Sequence, residues 1–95
     1  MNEVITLIGA AGKRDVFCAI RSVGQTEFYA AYASDLQPEK KFVLADYLDH
    51  EGEIYIEHDG TLYRVLRTFR KGQELEITVG KASAEEVAEA YGENH

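Results

Sequence analysis

His58-Asp59-Gly60-Thr61 lies between two runs of alternating apolar and polar residues, and this placement narrows the possible folds more than any other feature of the chain. Both central residues of a two-residue hairpin turn need positive φ, which Asp-Gly tolerates, so the two runs are read as antiparallel strands. Before the turn, across Glu53–Glu57, Ile54 and Ile56 alternate with Tyr55 and Glu57. After it, across Thr61–Arg70, Leu62, Arg64 and Leu66 alternate with Tyr63, Val65 and Arg67. Lys71-Gly72 offers a second tight turn. Leu75, Ile77 and Val79 then alternate with Glu74, Glu76 and Thr78, giving one apolar and one polar face before Gly80 ends the run. Three consecutive antiparallel strands form a meander.

The N-terminal half adds three strands and a helix. Glu3–Ile8 is rich in β-branched residues and stops at Gly9, and Gly9–Arg14 reads as a flexible loop. Asp15–Arg21 carries Val16, Cys18 and Ile20 on one face and Phe17 and Ala19 on the other, which predicts a central strand buried on both sides. Across Ser22–Leu36 the period changes. Phe28, Tyr32 and Leu36 fall at helical spacing with Tyr29 beside them, alanines at 30, 31 and 33 favour helix, and Ser22 or Thr26 can cap its start. Pro38 cannot continue that helix. Lys40–Tyr47 resumes a strand, and Asp49-His50-Glu51-Gly52 is a turn.

The expected fold is therefore mostly β: a small antiparallel six-stranded barrel or sandwich with one short helix between strands two and three. Residues 1–82 form one barrel-like domain, and 83–95 a flexible or helical acidic C-terminal tail. That tail has Ser83 as an N-cap and an acidic first turn, but only Val87 and Tyr91 as an apolar stripe, too little for a stable isolated helix. It reads as frayed, or as a segment that orders on a partner.

Ninety-five residues can enclose one modest core and little else. With 45% hydrophobic and 28% charged residues the chain has globular rather than disordered chemistry, and a net charge of -7 argues against tight phosphate binding. Cys18, the single cysteine, lies in an apolar run and reads as a buried, inert thiol. No basic leader precedes an apolar stretch and no run is long enough to span a bilayer, so a reducing, soluble compartment without membrane contact is expected.

Enzyme chemistry finds little purchase. His50 and His58 lie in predicted turns and His95 at the terminus, none with partners at metal-ligand spacing. Gly9-Ala10-Ala11-Gly12 follows a strand but lacks the Lys-Ser/Thr of a phosphate loop, and the next element is again a strand. The carboxylates are scattered over turns and solvent faces. The expectation is a protein without catalytic activity, cofactor or metal. Six tyrosines and four phenylalanines are the compositional oddity. They either cover the barrel with hydroxyls at its edge or supply a protein interface.

The blocks resemble the phage head-closure, or head–tail joining, family. Val4-Ile5-Thr6-Leu7-Ile8 is similar to its first strand. The stretch from Val16 through Ser22-Val23-Gly24-Gln25-Thr26-Glu27-Phe28-Tyr29-Ala30-Ala31 is similar to the family's strand-to-helix segment. Leu36-Gln37-Pro38-Glu39-Lys40-Lys41-Phe42 resembles the lead into the next strand, Gly60 to Phe69 the "Gly-x-x-Tyr-x-Val-x-Arg-Thr" strand, and Leu75–Val79 the last. The order and spacing of these blocks over residues 4–80, rather than any single one, carry the likeness. The loop between the first two strands is shorter than is usual in the family, and the tail after Ala82 lies outside the match.

The resemblance implies a structural virion protein of the phage neck, assembled in the host cytoplasm. It would be a subunit of a homo-oligomeric ring, twelvefold on the portal, that binds the portal adaptor, helps retain packaged DNA and offers a surface to a tail-completion or tail terminator protein. DNA would pass nearby without specific binding. Edge strands of a small open barrel could pair with a neighbour's edge. Phe28, Tyr29 and Tyr32 are the expected interface residues, and Asp49, Glu51 and Glu53 the candidate channel-facing carboxylates that would repel phosphates. The rival readings are a small-barrel protein-binding module with a tyrosine-lined groove and a tail-completion protein of the same region.

Overall fold

The structure, a computed structural model, describes residues 2–24 and 37–92. Six strands close into an antiparallel barrel: β1 (Glu3–Gly9), β2 (Gly12–Arg21), β3 (Pro38–Leu44), β4 (Tyr55–His58), β5 (Thr61–Lys71) and β6 (Glu74–Lys81). Their order around the wall is β1-β2-β3-β6-β5-β4, and β4 returns to pair with β1 through Thr6–Glu57, Leu7–Ile56 and Ile8–Tyr55. A 3-10 turn, Tyr47–Asp49, interrupts the path from β3 to β4, and helix α1, Ala84–Tyr91, follows β6. The helix expected over Ser22–Leu36, with Phe28, Tyr29 and Tyr32, falls on residues 25–36 and so lies outside the described residues. Among the described residues, no helix is long and apolar enough to cross a membrane.

Alternation selects the core. Ile5 and Leu7 of β1, Cys18 of β2, Phe42 and Leu44 of β3, and Ile77 and Val79 of β6 all point inward and are almost wholly buried. Phe42 is the largest of them; Tyr63 and His58 meet it edge-on at 5.9 and 5.5 Å. Asp59 and Gly60 adopt φ of 52° and 78°, as the hairpin between β4 and β5 demands.

Four details depart from expectation. The six-residue loop after β1 shrinks to Ala10-Ala11, because Gly12 carries the positive φ (130°) and Lys13 and Arg14 already pair with Ile8 and Leu7. Strand β2 is not buried on both faces: Cys18 is sealed but Phe17 is 67% exposed. Phe17 lies on the outward face beside its cross-strand partner Val4, which is exposed as well, whereas Cys18 points into the barrel. Strand β5 does not keep one alternation throughout, because a bulge between Val65 and Arg67 resets the period and turns Phe69 outward. Finally, the barrel is closed rather than open, so it offers no continuous sheet edge.

Helix α1 lies against the outer wall. Ser83 caps it through a full capping box: its hydroxyl accepts from Glu86 N (3.1 Å), and its own N–H donates to Glu86 Oε1 (2.9 Å). Ala90 and Tyr91 pack on Ile8, Tyr55 and Leu62, the outward residues of β1, β4 and β5. Tyr55 donates to Glu89 (2.8 Å) and Tyr91 to Glu57 (2.9 Å), so each half-buried hydroxyl meets a carboxylate at the seam.

Candidate interaction surface

Two features stand out on the barrel: an acidic loop pinned to a hairpin, and an apolar wall beside it. The loop runs from Asp46 to Ile54. Asp46 starts it by accepting from Leu48 N (3.0 Å) and from the Gln73 side chain (2.8 Å), while Tyr47 N donates to Gln73 O (2.8 Å). Its far end is held by Glu53. Arg14 Nε donates to Glu53 Oε2 (3.0 Å), Glu51 N donates to Glu53 Oε1 (2.7 Å), and Arg14 also reaches the Asp49 carbonyl. A Cβ on Gly9 would stand 3.0 Å from Glu53 Cγ, so a glycine there gives the buried carboxylate room. Burial opposes ionisation of Glu53, but backbone N–H groups and then Arg14 outweigh it and hold its pKa below the usual carboxylate range.

The three acidic residues singled out from the sequence therefore part company. Asp49 and Glu51 are open to solvent, whereas Glu53 is 9% exposed and neutralised by Arg14. Glu51 itself lies only 4.0 Å from Arg14, at the margin of an ion pair.

The wall lies on β1 and β2. Val4 and Phe17 are cross-strand partners, 47% and 67% exposed, and below them Thr6 donates to Asp15 (2.7 Å). Where β2 and β3 diverge, a groove of about 670 Å³ opens, lined by Arg14, Asp15, Val16, Phe17, Ala45 and Asp49. On that side Gly12–Cys18 pairs with no strand among the described residues. Phe69, 59% exposed on β5, is a second outward aromatic, separated from the first by β3 and β6. None of these was singled out from the sequence. The pairing of Val4 with Phe17 follows from register, and only the tertiary structure shows that, among the described residues, both stand largely open to solvent.

Several ionisable groups elsewhere are held by burial or by bonds within the chain. Cys18 is buried, and burial followed by the nearby Glu3 pushes its thiol up to about 11. Tyr55 and Tyr91 are pushed up to about 12 by burial and then by their carboxylate partners, so both remain hydroxyl donors. His50 bonds the Glu53 carbonyl (2.9 Å) and His58 lies 3.3 Å from Glu3. Among the described residues, no group of three His, Cys, Asp or Glu is arranged to hold a metal. Compared with known proteins, the chain matches no family model and no curated relative.

Proposed function

We propose that this chain is a non-enzymatic structural protein of the phage neck: one subunit of a head-closure ring that binds the portal adaptor, helps retain packaged DNA and presents a surface to the tail. The observation that carries the reading is the uncovered apolar wall of Val4 and Phe17 on a small barrel whose sequence blocks follow the head-closure order. A large aromatic held two-thirds in water adds little to the core, and its pairing with the exposed Val4 supports a partner contact there. A ring needs two different patches per subunit, and Phe69 supports a second.

Asp49 and Glu51 are the carboxylates suited to a DNA channel, since both are exposed; Glu53 is occupied by Arg14. Phe28, Tyr29 and Tyr32 are proposed as adaptor or subunit contacts. The direct experiment is cryo-EM of the chain mixed with a portal–adaptor complex. Ring density below the adaptor is expected, and a chain that stays in solution overturns the reading. Tyr29→Ala with Tyr32→Ala should block assembly without unfolding the protein. Asp49→Asn with Glu51→Gln should leave assembly intact and alter DNA retention; unchanged retention removes the channel role.

A further inference from the structure

Phe69 stands 59% exposed near the end of the β5–β6 hairpin, within Arg67-Thr68-Phe69-Arg70-Lys71. Three of the chain's ten Lys and Arg residues lie in this short stretch, on a molecule of net charge -7. The hairpin end is therefore a locally basic part of an acidic protein, and it holds a large ring in water. It is braced by Arg70, whose guanidinium stacks 3.5 Å from the centre of the Tyr47 ring and whose Nε donates to Gly72 O (3.0 Å). Elsewhere, where helix α1 meets the β1–β2 hairpin, a slot of about 200 Å³ opens, lined by Ile8, Ala10, Ile54, Tyr55, Glu89 and Ala90. Its lining is apolar but for Glu89 and the Tyr55 hydroxyl, which donates to that carboxylate (2.8 Å). Ile54 is 52% exposed, so the lining among the described residues is open to solvent. The cations nearby are already engaged, Arg14 with Glu53 and Lys13 over the Tyr91 ring at 4.8 Å. Glu89 thus gives the slot a negative charge.

We propose that this slot takes Phe69 of a second copy of the chain, with Lys71 of that copy against Glu89. Phe69 and Lys71 are two residues apart on one strand and so share a face, which delivers a ring and a cation together. The slot offers the matching pair, an apolar lining and a carboxylate. Two copies of net charge -7 repel each other overall, so a contact between them needs local complementarity of this kind. A buried aromatic anchor in a pocket is also where interface energy concentrates. The competing seat is the groove beside Phe17, but Arg14, Asp15 and Asp49 line it with charge, which suits a ring less well. A chain does not fill its own slot. Val65 N donates to Ile54 O (2.9 Å) and so fixes β5 beside the slot. Phe69 lies four residues farther along, which at about 3.3 Å per residue puts its backbone roughly 13 Å past that point. The contact needs only two copies of the chain, and so stands apart from the phage reading above.

A photoreactive benzophenone analogue of phenylalanine at position 69 keeps an aromatic anchor and reports what it touches. With heavy-isotope-labelled and unlabelled chains mixed, cross-links should join the two labels and map to Ile8, Ile54 or Ala90. Sedimentation should show wild-type self-association that weakens with added salt, because screening reduces the attraction of Lys71 for Glu89. Phe69→Ala should weaken it about tenfold or more. Ala10→Phe, which fills the slot from an exposed turn position, should do the same. Lys71→Glu should weaken it as well, and added Glu89→Lys should restore it, with thermal melting and helical circular dichroism confirming that each variant is folded. Cross-links confined to one chain, cross-links to Asp15 or Phe17, or a wild type that stays monomeric up to about 1 mM overturn the proposal. Rings formed on the adaptor equally well by Phe69→Ala would overturn this contact and leave the ring reading standing. Cross-linked pairs of a chain that never binds the adaptor would support the contact and sink that reading.

Discussion

Glu53 shows how one side chain ties distant parts of a small barrel together. It holds the acidic loop to the β1–β2 hairpin through Arg14, in space that Gly9 leaves free. Its folded pKa lies below its unfolded value. The stability it supplies is therefore fully present above the ordinary carboxylate range and is lost as pH falls through the lowered value. Glu53→Gln should cost about 1–3 kcal/mol at neutral pH by weakening bonds to a charged acceptor. It should also flatten the acid limb of a Tm-versus-pH curve, and a limb identical to wild type would contradict this role. Gly80 is the second residue whose identity matters. A Cβ there would lie 2.9 Å from Gln37 O and 3.3 Å from Leu66 Cδ1. Gly80→Ala should destabilise by about 1–3 kcal/mol, measured by denaturant midpoint, because backbone cannot step aside as a flexible side chain would.

Helix α1 is the element whose stability depends most on its surroundings. With eight residues and no buried side chain it would melt alone, and it persists by its capping box and its bonds to the barrel. Ser83→Ala should cost about 1 kcal/mol by removing the acceptor for Glu86 N. The Arg64–Glu86 pair (2.8 Å) adds little, since the arginine is largely in water. Tyr55 and Tyr91 give the seam an alkaline limit. Both folded pKa values are raised, to about 12, so their support is complete below the ordinary tyrosine pKa and fades as pH rises through the folded value. The tyrosinate absorbance of these two residues should appear late in an alkaline titration, together with loss of helical circular dichroism. Tyr55→Phe with Tyr91→Phe should uncouple helix loss from that titration.

At the scale of the whole molecule, two phenylalanines divide the work. Phe42 is fully buried at the barrel centre, and Phe42→Ala should cost about 3–5 kcal/mol. Phe17 stands in water, and Phe17→Ser should change stability by no more than about 0.5 kcal/mol while removing the partner contact proposed for it. Chemical denaturation of both variants beside wild type checks the contrast; a large loss for Phe17→Ser would mean that the wall serves the fold.

Six strands, the Asp59-Gly60 hairpin and the apolar face of Leu75, Ile77 and Val79 were legible in the chain itself, because period-two alternation and turn chemistry are local properties. Phe28, Tyr29 and Tyr32, read as the interface, fall outside the described residues, while Val4, Phe17 and Phe69 came to notice only in three dimensions. Alternation says which residues share a face but not whether anything covers that face. Likewise Asp49, Glu51 and Glu53 looked equivalent along the chain. Only the approach of Arg14, thirty-nine positions from Glu53 in sequence, separates the neutralised carboxylate from the two left in water. Barrel closure was decided in the same way: β1 meets β4 because the sheet's twist and strand lengths bring them together, and no local pattern encodes that meeting.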